Sequence, residues 1–265
     1  MPHSARAPLT LLQKWIERGA DPARAAWYRD TFRAVSEDAS EQTLVRAIGL
    51  APRKLGKSDL PLRSEDLAEA DRIRPGFDPT GLSIDQAARI TFVLDSPHPV
   101  AETLERLFAT SDLGESIAFF RGFSVFPEPD RLLIRAREGI RSAIKPVFEA
   151  LAHRNPYPRE QFDESSWNQM VLKALFIDST LAPIQGLDDR ANPDLAQMLV
   201  DYAQERWSAG RAVSPELWRC VGPFADDRTC RILERLAATG SPPEQDAARH
   251  ALHQAPPLSV RPTTS

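Results

Sequence analysis

Hydrophobic positions recur at helical spacing along nearly the whole chain. Leu11, Leu12, Trp15 and Ile16 form one stripe, and Tyr28, Phe32 and Val35 form another. Val100, Leu104, Leu107 and Phe108 follow the i, i+4, i+7, i+8 pattern of an amphipathic helix. No run alternates as a half-buried strand would. Helix starts are marked where a capping side chain precedes proline, at Asp21-Pro22, Ser96-Pro97, Asn192-Pro193, Ser214-Pro215 and Ser241-Pro242. Proline at the first helical position gives up only a donor that has no partner there anyway. Ser83 with Gln86 and Ser241 with Glu244 add capping-box spacing. The pattern predicts an all-α chain, an irregular α/α superhelix of packed antiparallel helix pairs of armadillo or HEAT type, without a strict repeat.

The interruptions predict the divisions. Residues 1–50 read as an amino-terminal helical segment. Residues 51–82 carry Pro52, Gly56, Pro61, Pro75, Gly76, Pro79 and Gly81, which leaves room for one short helix at 64–73 and predicts a connector. Residues 83–255 form the main helical body, and 256–265 a disordered tail. Within the body, one long stripe from Leu132 to Leu151 meets Pro146, whose ring collides with the carbonyl of Ser142, so a kink or break is expected there. Asn155-Pro156-Tyr157-Pro158 predicts a firm corner.

Charge inside apolar patterns narrows the search for chemistry. On the helix after Asn192, the residues Leu195, Met198, Leu199, Tyr202, Ala203 and Ala209 define a buried arc with Arg206 near its middle. A guanidinium does not shed its charge, so a buried Arg206 must meet a carboxylate or a bound anion. The helix beginning at Trp167 is apolar nearly all round, through Met170, Val171, Leu172, Ala174, Leu175 and Phe176, and so is expected to be enclosed. Asn168, Gln169 and Lys173 on it need partners.

Two readings of this network stand side by side. In the structural one, Asp188 or Asp189 neutralises Arg206, Glu205 or Asp201 neutralises Arg211, and Asn168 ties off loop carbonyls. In the functional one, Lys173, Arg206 and Arg190 line a pocket for an anionic or polyoxygenated small molecule, oriented by Asn168 and Asp201. A Glu205–Lys173 acid/base pair is a thinner alternative. Trp207 and Trp218 are candidates for the rim of an apolar cavity walled by Phe119, Phe120, Phe123 and Phe126, although aromatic residues at that spacing are more often ordinary core. Arg219, beside Trp218, completes the candidate set.

Composition bounds the partners. A net charge of −4 over 265 residues and a pI of about 5.8 argue against a general nucleic-acid binder. Two cysteines, Cys220 and Cys230, predict free thiols in a reducing compartment. Lys14, Glu17 and Arg18 break the first apolar run, so no signal peptide is expected, and no window reaches the roughly 20 apolar residues of a membrane span. A cytoplasmic location follows as the expectation. His250 and His253 lie three apart but have no third ligand beside them, so neither a metal nor a cofactor is expected. Phosphate-loop, Cys-x-x-Cys and serine-elbow motifs are absent from the sequence.

The block WNQMVLKALF, followed by GLDDRANPDLAQMLVDYAQERWSAGR and PELWRCVGPF, resembles the EboA family of bacterial metabolite-traffic proteins. ESIAFFRGFSVFPEP, VFEALAHRNPYP, APRKLGK and IDQAARITFVL extend the likeness over most of residues 46–224. Gln204 stands where the family pattern leads one to expect histidine, and Lys145-Pro146 replaces a regular helical turn. The resemblance implies a cytoplasmic helical protein. It would serve the movement of a biosynthetic precursor towards the periplasm, beside a UbiA-like prenyltransferase and TatD-like and dehydroquinate-synthase-like proteins. The leading expectation is a non-catalytic adaptor or metabolite-binding component. A metal-independent enzyme acting on an anionic, isoprenoid or aromatic precursor is the alternative, followed by a nucleic-acid-binding helical-repeat protein.

Overall fold

The computed structural model describes residues 3–257, with side chains from Arg6 onward. Residues 258–265 of the expected tail lie outside the described residues. Residues 1–162 and 163–265 form two compact units. The first holds α1 (His3–Gly19), α2 (Pro22–Glu37), α3 (Glu41–Leu55), α4 (Ser64–Ile73), α5 (Ile84–Asp95), α6 (Val100–Phe108), α7 (Leu113–Gly122), α8 (Leu133–Arg141), α9 (Lys145–Ala152) and α10 (Tyr157–Gln161). The second holds α11 (Glu164–Phe176), α12 (Pro193–Ser208), α13 (Trp218–Val221), α14 (Asp227–Thr239) and α15 (Pro242–Gln254). The fold is all-α. Among the described residues the extended backbone pairs only in an isolated antiparallel bridge between Asp59 and Ser83.

The first unit is organised around α5, which packs against α1, α2, α3, α6 and α7. From Ile84 to Leu94 every α5 residue but Gln86 is buried, including Asp85, Arg89 and Thr91. Those polar groups are answered inside the core. Ser83 Oγ donates to Asp85 Oδ1 at 2.6 Å, Arg89 Nη1 lies 3.4 Å from Asp85 Oδ2, and Arg89 Nε donates to the Ile48 carbonyl at 3.1 Å. Tyr28 donates to Thr91 Oγ1 at 2.9 Å, and Thr91 passes its own proton to the Ala88 carbonyl. A second buried carboxylate, Asp66, collects Trp15 Nε1 at 3.0 Å, the Arg18 guanidinium and the Arg63 backbone N–H. The Arg18 hydrogen bond leads the causes that hold its pKa down at about 2.

Local signals act largely as their chemistry dictates. Asp21 and Asn192 cap α2 and α12 through their side chains, and both capping boxes form. Ser214-Pro215 opens a 3-10 turn that runs into α13. Ser96-Pro97 does not start a helix. Ser96 instead terminates α5, and α6 begins at Val100 after a second proline, Pro99. The break at Pro146 falls at residues 142–144, because the proline sits at the start of α9, where its missing donor costs nothing. Asn155-Pro156 makes the corner, but Tyr157-Pro158 already belongs to α10. The single helix expected between 51 and 82 is α4, although α3 runs through Pro52 to Leu55.

The aromatic series Phe119, Phe120, Phe123 and Phe126 is core. Phe119 meets Phe108 edge-on at 5.4 Å, and Phe123 meets Tyr157 at 5.2 Å. In the second unit α14 and α15 form a tight helix pair, and α15 also packs on α13 and on the 3-10 turn Gly222–Phe224. Gly222 permits that contact. A Cβ at this position would lie 2.8 Å from both the Cα and the carbonyl oxygen of Ala251.

Candidate functional site

Arg206 corrects the central expectation drawn from periodicity. Its angular position on α12 is as projected, yet the core of that helix ends at Ala203. Arg206 and Trp207 are half-buried, and Ala209, Gly210 and Arg211 are exposed. Periodicity gives the angle around an axis and says nothing of depth along it. The guanidinium turns back on the departing chain instead, with Nε and Nη2 donating to the Ala212 carbonyl at 3.1 and 2.9 Å. It closes a helix end, where cations and free carbonyls suit each other. A carboxylate is not what answers it among the described residues.

The other candidate residues also redistribute. Asn168 is buried and pairs amide to amide with Asn192, at 3.1 and 2.9 Å, rather than tying off loop carbonyls. Asn192 Oδ1 in turn accepts the Leu195 N–H at 2.8 Å, so Asn168 holds the cap of the neighbouring helix. Arg190 stands over the Trp167 ring, 4.8 Å from its centroid. Phe176, expected inside, is 58 % exposed at the end of α11 and meets Tyr202 edge-on. Lys173 is half-buried and Glu205 exposed, and among the described residues they form no ion pair with each other. Asp189 and Arg211 are exposed. Asp201, also exposed, takes a hydrogen bond from Gln197 at 2.8 Å instead of pairing with Arg211.

One of the candidates lines a cavity, and a second is paired with it. Asp188 pairs with Arg219 through two parallel N–H···O contacts rather than with Arg206. Their hydrogen bond raises the arginine's pKa. Arg219 lines a cavity of about 270 Å³ together with Leu181, Ala182, Leu187, Pro215, Glu216, Ala247 and His250. This volume is near the lower end of ligand sites. Its wall is mostly apolar, and its lining includes two i, i+3 pairs. Glu216 and Arg219 come from the turn leading through α13, and Ala247 and His250 from one face of α15.

The loop that forms the opposite wall is fixed from below. Glu216 accepts the Leu181 N–H at 2.7 Å and the Thr180 hydroxyl at 2.9 Å, which sets the position of Leu181. Trp218 is buried behind the site and stacks on Trp207 with centroids 5.9 Å apart, so the tryptophans support α13 instead of forming a rim. Beside them, Cys220 is buried, and burial pushes its thiol up to about 12, which keeps it protonated and inert.

Sequence reasoning missed Glu216 and His250. The Glu216/Arg219 spacing was visible, but His250 read as a solvated residue. It remains exposed at one edge of the cavity, 3.3 Å from Gln254. Only the packing of α15 on α13 shows what that edge faces.

Among the described residues no helix is long and apolar enough to cross a membrane. No curated protein and no solved structure matches the chain. Residues 9–222 match the family model for the metabolite traffic protein EboA, a span that takes in Asp188, Glu216 and Arg219, and the chain belongs to that family.

Proposed function

We propose that the chain is a non-catalytic metabolite-binding component of the traffic pathway for which its family is named, and that the cavity of the second unit receives the metabolite. The observation that carries this reading is the cavity's composition. A mostly apolar hollow of about 270 Å³ is edged by Arg219 and His250. Such a site accepts a small molecule with an apolar body and an anionic end, the body displacing water from Leu181, Leu187 and Pro215 while the guanidinium orients the charge.

Binding is favoured over catalysis by the state of the polar groups. Glu216 is spent on the Thr180–Leu181 loop, and Arg219 holds Asp188 through Nε and Nη2, which leaves Nη1 to meet an anion but supplies no acid/base pair with Glu216. Lys173 and Glu205, the other acid/base candidates, are not lining residues of this cavity. The family resemblance supports a precursor moved towards the periplasm as the cargo, with proteins of the same gene cluster as partners.

The test is mass spectrometry of small molecules retained by the full chain, purified from cells that express the whole gene cluster. Wild-type protein is expected to retain an acidic small molecule that Arg219→Gln loses without a change in melting temperature. Equal retention by both proteins, or turnover of the retained molecule by the purified chain, overturns the reading.

A further inference from the structure

Across the first unit, a cleft brings together three separated stretches: residues 77–82, the end of α7 with the turn after it, and the end of α9 with residues 153–155. Two of them lie in blocks that carry the family resemblance, ESIAFFRGFSVFPEP and VFEALAHRNPYP. Asn155 fastens these to each other. Its Nδ2 donates to the Phe120 carbonyl at 3.0 Å, and its Oδ1 accepts the Tyr157 N–H at 3.0 Å. The corner is thereby pinned to the end of α7, and Arg121 and Arg154 are brought to one cleft.

The charges in that cleft do not balance. Arg121 is half-buried and donates to a neutral acceptor, the Thr80 carbonyl, at 2.8 Å. Among the described residues it has no carboxylate within ion-pair distance. Burial, and next the charge of Arg154, hold its pKa below the ordinary arginine value. The one acid lining the cleft, Asp78, is already used: Oδ1 accepts the Thr80 N–H at 2.9 Å, and Oδ2 stands 3.6 Å from Arg154 Nε. Two permanent cations therefore face one lining carboxylate, and Asp59, which also acts on Arg121, is not among the lining residues. Arg154 is also held at φ +50°, a backbone region where glycine or asparagine is at ease and arginine is uncommon. The residue there is an arginine all the same.

Space decides what answers these charges. The cleft has room inside for one water-sized group, with about 230 Å³ of space when its mouth and the open solvent there are included. A whole metabolite does not fit inside. One oxygen of a terminal group does, with the rest of that group at the mouth and its molecule outside.

We propose that the cleft formed by Arg121, Arg154 and Asn155 is a phosphoryl-binding site, separate from the cavity of the second unit and independent of the function assigned to it. A phosphate offers enough oxygens to accept from both guanidinium groups at once, and its charge offsets the excess that Asp78 leaves. The source is either inorganic phosphate or the phosphoryl end of a larger molecule.

The experiment is a binding titration of the full chain, at fixed ionic strength, with inorganic phosphate, phenyl phosphate and acetate. It is read by calorimetry and by phosphorus NMR line broadening. Saturable phosphate or phenyl phosphate binding in the millimolar range or tighter is expected, and whichever binds more tightly identifies the source. Arg154→Asn, which suits the left-handed backbone and removes the charge, should weaken binding by about tenfold or more while the fold is kept. Arg121→Lys, which retains a cation, should bind more weakly than wild type but more tightly than Arg154→Asn. Acetate binding as tight as phosphate, phosphate binding unaffected by Arg154→Asn, or no saturation below about 10 mM overturns the proposal.

Discussion

Two arginine–aspartate pairs in this molecule have opposite situations. Arg89 and Asp85, each 3 % exposed, are sealed in the core of the first unit one helical turn apart on α5. Arg219 and Asp188 belong to the second unit, and their side chains are about half exposed, at 45 % and 56 %, with the arginine on a cavity wall. The sealed pair is closed to solvent. Its members are taken up by each other, by Ser83 and by the Ile48 carbonyl, and a Cβ on Gly114 would already touch Arg89. The open pair has solvent on one side and a hollow on the other. An ion pair is therefore read by what surrounds it: the first specifies a core, and the second is available to a ligand.

The largest effect expected from this contrast comes from Arg89→Met. It leaves Asp85 charged and buried and should cost about 3 to 5 kcal/mol in urea denaturation. Arg89→Met combined with Asp85→Leu should recover part of that loss, and a double mutant no better than the single would contradict the pairing. For Arg219→Gln the same denaturation should show less than about 1 kcal/mol, as exposed ion pairs generally do.

Acid provides a second separation. Asp66 has its folded pKa lowered to about 2 from an ordinary 3.8. A depressed carboxylate stabilises the fold at pH above its unfolded value, and the stabilisation is lost as pH falls through the folded value. On the order of 2 kcal/mol should thus disappear between about pH 4 and pH 2, and Asp66→Asn should flatten that slope. Urea midpoints measured across this interval check it.

Gly222→Ala should act on the other region. It forces Ala251 and α15 away from the 3-10 turn at a cost of about 1 to 3 kcal/mol, and hydrogen exchange should rise first in α15. A small effect is also expected of Arg206→Met, which removes bonds to one exposed loop carbonyl and should cost about 0.5 to 1.5 kcal/mol. A loss as large as that of Arg89→Met would restore the idea of a buried charge on α12.

Much of the helical framework was legible from spacing and punctuation, because caps, prolines and apolar stripes act within a few residues. Asp21, Ser83, Asn192 and Ser241 each mark a helix start where the chemistry places it. The rule that a buried guanidinium needs an answering charge was sound too, but it was attached to Arg206 when it belongs to Arg89. Periodicity around α12 carried no information on where that helix leaves the core. On α5 the sequence IDQAARITFVL does show an i, i+4 Asp85–Arg89 pair amid apolar residues, which is the local signal of the buried charge. In the site, Asp188 and Arg219 were legible as members of a polar block but not as each other's partner. That Glu216 and His250 line one cavity was not legible, since it depends on how α15 lies on α13.

The central claim is that the hollow beside Arg219 holds the metabolite, and its most direct test fills that hollow. Ala247 lines the cavity half-buried on α15, so Ala247→Phe occupies the space without removing a polar partner. Native mass spectrometry of wild-type and variant chains, purified from cells expressing the whole gene cluster, should show an acidic small molecule on the wild type and none on the variant, with unchanged melting. Equal occupancy of both proteins, or a wild-type chain that emerges empty, would contradict the account.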